Sequence, residues 1–157
     1  MYRRLLLVEE NHVPALEALE RLYAQTGRHE DLVYVLHRKT MLAEEVWQRK
    51  ELLYRICEIW EDVIGDRDKA IETYRALREI DPDDLSAVEA LERLYAQTGD
   101  WVSLVELFRE MAEVAPDPAE RLRCWLEAAR ICEQHLEEPD GAVDAYRAVL
   151  DIEAGHT

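Results

Sequence analysis

The sequence predicts an all-α chain of stacked antiparallel helical hairpins, an α-solenoid, and three observations lead there. The eleven residues EALERLYAQTG at positions 17–27 return unchanged at 89–99, and repetition this literal marks an array of one small unit. A shift of 72 residues then aligns Ala15 with Ala87, Arg49 with Arg121, Ile59 with Ile131, and Tyr74, Arg75 and Ala76 with Tyr146, Arg147 and Ala148, without a gap. Inside that period Ala70, Ile71, Tyr74, Leu77 and Ile80 hold the i, i+3, i+4, i+7 spacing of a one-faced helix. Composition agrees: 48% apolar and 34% charged residues with only 5 Gly and 5 Pro suit helices with one apolar stripe and oppose disorder.

The elements follow in order. Carried backwards, the same shift sets Tyr2, Leu5 and Val8 on Tyr74, Leu77 and Ile80, so residues 1–10 read as the second helix of a truncated preceding repeat. Repeat 1 then spans 12–44, repeat 2 45–83, repeat 3 84–116 and repeat 4 117–157, as one continuous solenoid domain. Gly27, Gly65 and Gly99 lie 38 and then 34 residues apart, each closing one apolar-periodic stretch and preceding the next; glycine supplies the left-handed residue after a helix. No Pro or Gly stands between Thr40 and Trp47, where the next copy has Pro116, Asp117 and Pro118. Local signals alone would run one helix over 30–64, but the register demands a break at 44–46. The stretch 51–64 carries a broader apolar arc, as a helix with neighbours on both flanks requires. Asp81 and Pro82 end the helix that follows. Asp117, Pro118 and Glu120 offer an N-cap, a first-turn proline and a reciprocal carboxylate.

With these residues placed, the chain resembles the tetratricopeptide repeat family, whose unit is a helical hairpin of about 34 residues. Gly65, Ala70, Tyr74 and Pro82 fall on the family's turn glycine, small residue, aromatic and closing proline, and Phe108 and Pro116 take the last two places one module on. Leu32 and Leu104 depart from the usual small residue, and Glu137 replaces the turn glycine. The resemblance implies a right-handed superhelix whose first helices line a concave groove. Its groove positions are Glu17, Arg21 and Gln25 in repeat 1, and Glu51, Tyr54, Glu58 and Glu61 in repeat 2. Glu89, Arg93 and Gln97 follow in repeat 3, and Arg123, Leu126, Arg130 and Glu133 in repeat 4. An acidic peptide in such a groove would engage Arg93, Arg123 and Arg130. The competing account is local: Glu17 with Arg21 and Glu89 with Arg93 are i, i+4 pairs, which stabilise an exposed helix by a few tenths of a kcal/mol.

Catalytic chemistry needs convergent groups, and the sequence offers none, so no enzyme and no cofactor is expected. The densest ligand set, Cys132, Glu133, His135 and Glu138, loses Cys132 to the core because it aligns with Trp60, leaving too few donors for a closed metal site. Cys57, Cys124 and Cys132 form no paired motif and read as reduced packing thiols. Trp60 and Trp125 lie on inward stripes, and Trp101 reads as a wedge between helices. A net charge of −16 repels phosphate backbones and anionic membranes, so nucleic acid and membrane are not expected as partners. No apolar run reaches the roughly 18 residues a bilayer span requires, and Met1 opens no secretory pattern, so a cytoplasmic location is expected. The function expected is a non-enzymatic scaffold binding a protein or peptide segment in the concave groove. Its rival is a structural spacer of a longer array, or self-association through uncovered repeat ends, with no ligand of its own.

Overall fold

The computed structural model describes residues 12–155, and every regular element there is helical. The helix expected over residues 1–10 lies outside the described residues. The chain divides into two compact units, Met1–Ala90 and Leu91–Thr157.

Unit 1 holds α1 (Val13–Thr26), α2 (His29–Leu42), α3 (Val46–Glu58) and α4 (Arg67–Ile80), and it ends within α5 (Leu85–Thr98). From α1 to α4 each helix packs on the next, and the short connections make successive helices antiparallel. Leu16, Leu36, Ile56 and Leu77, one from each helix, are fully buried and form the centre of this core. Burying such a side chain stabilises by about 1.5–3 kcal/mol. The turns are closed as the glycines predict: Gly27 at φ 71° and Gly65 at φ 82° take the left-handed conformation. At the start of α1, His12 Nδ1 accepts the Ala15 N–H at 3.1 Å.

The break between α2 and α3, expected at 44–46 from the register, falls at 43–45. Its cause is a side-chain cap: Gln48 Oε1 accepts the Glu45 N–H at 3.4 Å, and Arg49 Nε donates to the Ala43 carbonyl at 3.0 Å. Neither proline nor glycine is needed. Beyond Glu58, α3 widens into a π turn over Ile59–Ile64, where the Trp60 carbonyl accepts from the N–H of both Gly65 and Asp66 at 2.8 Å. The longer spacing from Gly27 to Gly65 is accommodated in this extended helix, which carries the wide turn at its end.

Unit 2 holds the rest of α5, then α6 (Trp101–Val114), α7 (Pro118–Ile131) and α8 (Pro139–Glu153). Its buried residues include Leu91 and Leu94 of α5, Leu107 and Phe108 of α6, Ala128 of α7 and Ala145 of α8. Asp117 caps α7, its Oδ1 accepting the Ala119 N–H at 3.0 Å. Glu120 turns away from the cap expected of it, both carboxylate oxygens instead taking hydrogen bonds from Arg123. A second π turn, Cys132–Leu136, repeats the first in register. It closes on Glu137 at φ 51°, where the earlier copy has Gly65.

The two copies of the repeat tyrosine sit in different surroundings. Tyr74 is buried, its hydroxyl donating to Glu61 Oε2 at 3.2 Å and its ring meeting Tyr54 edge-on at 6.4 Å. Its copy Tyr146 is not buried with it but 36% exposed, and the counterpart of Tyr54 is Leu126, which has no ring to offer. Trp101 is the wedge the sequence implies: its indole stacks on the His135 imidazole with centroids 3.8 Å apart, joining the start of α6 to the π turn after α7. Trp60 and Trp125 are half-buried.

Candidate functional site

An open cleft of about 540 Å³ lies within unit 1, where the start of α1, the end of α2 and the start of α3 converge. Leu16, Leu42 and Leu52 form its floor. Val13 and Trp47 form its walls, and they are 45% and 62% exposed. Glu44, Glu45 and Glu51 stand on the rim. The cap at Glu45 and the Arg49 hydrogen bond to Ala43 hold the connecting segment in place.

Lys39 also lines the cleft, but its charge is already balanced. Its Nζ lies 2.8 Å from Glu20 Oε1, and the other oxygen of Glu20 takes Arg55 at 3.3 Å, tying α1, α2 and α3 together. Burial opposes the Glu20 charge, yet Lys39 and Arg55 outweigh it and hold the carboxyl below its ordinary range. What remains around the cleft is an acidic rim over an apolar floor.

The internal repeat separates scaffold from site. At the shift of 72, structural residues recur: Arg49 as Arg121, Ala15 as Ala87, Ala70 as Ala142. Of the cleft residues Ala43 recurs as Ala115, but others change. Trp47 becomes Ala119, Glu44 becomes Pro116 and Glu51 becomes Arg123.

Of the expected groove positions, Glu17, Arg21 and Gln25 are exposed on α1, and Glu51 and Glu58 on α3. Only Glu51 of these lines the cleft. Tyr54 and Glu61 are engaged with Tyr74, and burial, with Asp84 beside it, pushes the Tyr54 hydroxyl up to about 12. Glu89 is exposed on the part of α5 in unit 1. In unit 2 Arg93, Gln97, Leu126 and Glu133 are exposed. Arg123 pairs with Glu120 at 2.5 Å and Arg130 with Glu127, each three residues back on its own helix. Sequence reasoning gives Trp47 no role; the signal that marks it is the break in the repeat.

The three cysteines are buried and free. Burial pushes the Cys57 thiol up to about 12 and Cys124 to about 11, which makes both poor nucleophiles. Among the described residues no group of three or more His, Cys, Asp or Glu could hold a metal ion, and no helix is long and apolar enough to cross a membrane.

Comparison with known proteins bears on this geometry. Residues 87–122 match the family model of the tetratricopeptide repeat, and residues 71–96 match that of the DNA mismatch repair protein MutS C-terminal region. Among curated proteins none matches the sequence. Among solved structures, the crystal structure of MamA is 19% identical, covering 99% of this chain and 86% of its own with a TM-score of 0.48. A crystal structure of MamA protein is also 19% identical, over 98% and 79%, with a TM-score of 0.49. The match covers most of α5, all of α6 and the start of α7, so over this stretch the chain is similar to a tetratricopeptide repeat, within a fold whose described elements are all helical.

Proposed function

We propose that the protein is a non-enzymatic interaction scaffold that holds a protein or peptide segment against the first helices of its hairpins, with the unit 1 cleft as its anchor. One observation carries this: Trp47, 62% exposed beside an apolar floor, stands where the repeat otherwise has Ala119. Packing gives no reason for an indole there, whereas exposed aromatic side chains beside pockets are the usual anchors of protein interfaces. The cleft's volume falls within the range of about 300–1,000 Å³ typical of binding sites. Its rim of Glu44, Glu45 and Glu51 favours a segment bearing Lys or Arg. The test is fluorescence anisotropy with labelled peptides that combine basic and aliphatic residues. Trp47→Ala should weaken binding by about 2 kcal/mol, the scale of an interface hot spot, or about 30-fold. Unchanged affinity would move the site elsewhere, with reversal of Arg93, Arg123 and Arg130 as the next trial of the remaining groove positions.

A second reading, self-association or a spacer role in a longer array, is favoured by one feature of α8. Val143, Tyr146 and Leu150 form a stripe 46%, 36% and 63% exposed, whereas Ile71 and Tyr74, the counterparts of the first two, are buried. Sedimentation across a concentration series checks it: a strictly monomeric species at every concentration would remove self-association.

A further inference from the structure

Unit 1 shows how this repeat holds the start of a following helix. Lys50 of α3 reaches Asp84 Oδ2 at 2.9 Å, Asp84 in turn caps α5 by accepting the Ala87 N–H, and Tyr54 stands beside the same carboxylate. Ile71 and Tyr74 of α4 are buried in this unit. At the shift of 72, Lys50 becomes Leu122, Tyr54 becomes Leu126, Ile71 becomes Val143 and Arg78 becomes Leu150, while Tyr74 recurs as Tyr146. Three polar side chains have given way to leucine. Leu126 is 41% exposed on α7, and α7 packs on α8, which carries the open stripe of Val143, Tyr146 and Leu150. A face meant only for water has no use for that exchange, and an exposed apolar patch of this kind marks an interaction surface.

The helix that fits this face is present in the chain. α1 and α5 share the residues 17–27 and 89–99 unchanged and differ at their starts, where Asp84 has His12 as its counterpart. The pair Lys50 and Asp84 therefore has Leu122 and His12 as its copies. A carboxylate set against Leu122 and Leu126 would be left unpaired at a cost, and α1 has none there. α1 also has an open side: Ala18 is half-buried and Leu22 is 37% exposed, whereas their counterparts on α5, Ala90 and Leu94, are buried. We propose that α1 of a second copy docks on the α7–α8 face of unit 2, with Ala18 and Leu22 against Val143, Tyr146 and Leu150 and with the His12 end against Leu122 and Leu126. This rests on the second reading above, self-association, and gives it a form. Two different faces meet, so the contact is head-to-tail and can propagate from copy to copy. Leu22 lies about two and a half turns beyond Val13, on the opposite side of α1 from the cleft, so a cleft ligand and a second copy do not compete.

Sedimentation velocity on the full chain tests the pairing with two variants, Leu22→Lys on α1 and Leu150→Lys on α8, both at exposed positions. A one-helix contact belongs to the small interfaces below about 1,200 Å², so the series runs to high protein concentration. The wild type should form a concentration-dependent ladder of oligomers, and each variant alone should associate at least about 10-fold more weakly. Mixed one to one, the two variants should form a dimer and nothing larger, because each supplies the face the other has lost. A Leu22→Lys chain that associates as the wild type does would overturn the proposal and leave self-association standing through unit 2 alone. A mixture that stays monomeric, while circular dichroism shows both variants as helical as the wild type, overturns it as well; if Leu22→Lys lowers helicity, Leu22→Gln takes its place with the same readout. A wild type that is monomeric at every concentration removes this pairing and the second reading together. Salt supplies an independent sign. Each copy carries −16, so screening should strengthen an apolar contact between copies, and association that weakens with salt would assign it to charged groups instead. Trp47→Ala should leave association unchanged, and a loss there would place the contact at the cleft.

Discussion

Glu137 holds φ 51° at the end of a π turn, in the place where Gly65 holds φ 82° in the earlier copy. A side chain in the left-handed region crowds its own carbonyl at a cost of roughly 1–2 kcal/mol, part of which glycine gives back in lost chain entropy. Glu137→Gly should therefore stabilise the protein by about 0.5–1 kcal/mol, read as a shift of the urea midpoint at constant slope. A lower midpoint would show that the Glu137 side chain contributes more than its backbone costs. Tyr74 and Tyr146 make a second test of residue environment. Tyr74→Ala removes a buried ring and should cost about 3 kcal/mol, whereas Tyr146→Ala, half in solvent, should cost less than about 1 kcal/mol. Equal losses would mean that the two copies are equally covered. Their register was legible because it depends on spacing; their burial was not, because it depends on partners such as Tyr54 and Leu126 that the repeat does not conserve within itself.

At the scale of the element, helices and glycine turns could be read directly, since hydrophobic period and left-handed closure are local properties. The connection at 43–45 was visible only through the register, because it is capped by Gln48 and fastened by Arg49 rather than marked by proline or glycine. The cleft was less visible still: Trp47 becomes informative once its exposure and its position beside Leu16, Leu42 and Leu52 are seen together. A further long-range contact, absent from any motif, fastens α3 to the α4–α5 connection. Lys50 Nζ meets Asp81 Oδ2 at 2.8 Å and Asp84 Oδ2 at 2.9 Å, while Asp84 Oδ1 accepts from the Ser86 and Ala87 N–H groups. Burial opposes the Asp84 charge, but the contacts from Lys50 and the Ala87 N–H prevail and hold its carboxyl below the usual range. Because the folded value is the depressed one, this stabilisation is complete above the ordinary aspartate pKa of about 3.9 and is lost as pH falls through the lower value. Lys50, raised first by Asp81 and then by Asp84, keeps its share until strongly alkaline pH. Asp84→Asn retains a good N-cap and removes only the charge. It should destabilise the chain at neutral pH, with the difference from wild type closing as the medium is acidified below about pH 4. Parallel stability curves across that range would assign Asp84 to capping alone.

For the whole molecule, the net charge of −16 sets two opposite salt dependences. Folding gathers the excess carboxylates, so self-repulsion opposes the compact state. Several described ion pairs, such as Arg28 with Asp31 and Arg123 with Glu120, sit on exposed helix surfaces, where each contributes at most about 1 kcal/mol and is itself screened. Repulsion of this size outweighs them. Raising ionic strength from about 0.01 M to about 0.15 M shortens the Debye length from about 30 Å to about 8 Å, and the melting temperature should rise. Association of a basic segment with the cleft draws on the same field in the attractive sense, through Glu44, Glu45 and Glu51, so its affinity should fall over the same interval. Calorimetric melting and peptide titration in one buffer series measure both slopes. A melting temperature that falls with salt would make the surface pairs, rather than net repulsion, the dominant electrostatic term in folding. An affinity independent of salt would leave the apolar floor and Trp47 to carry binding without the acidic rim.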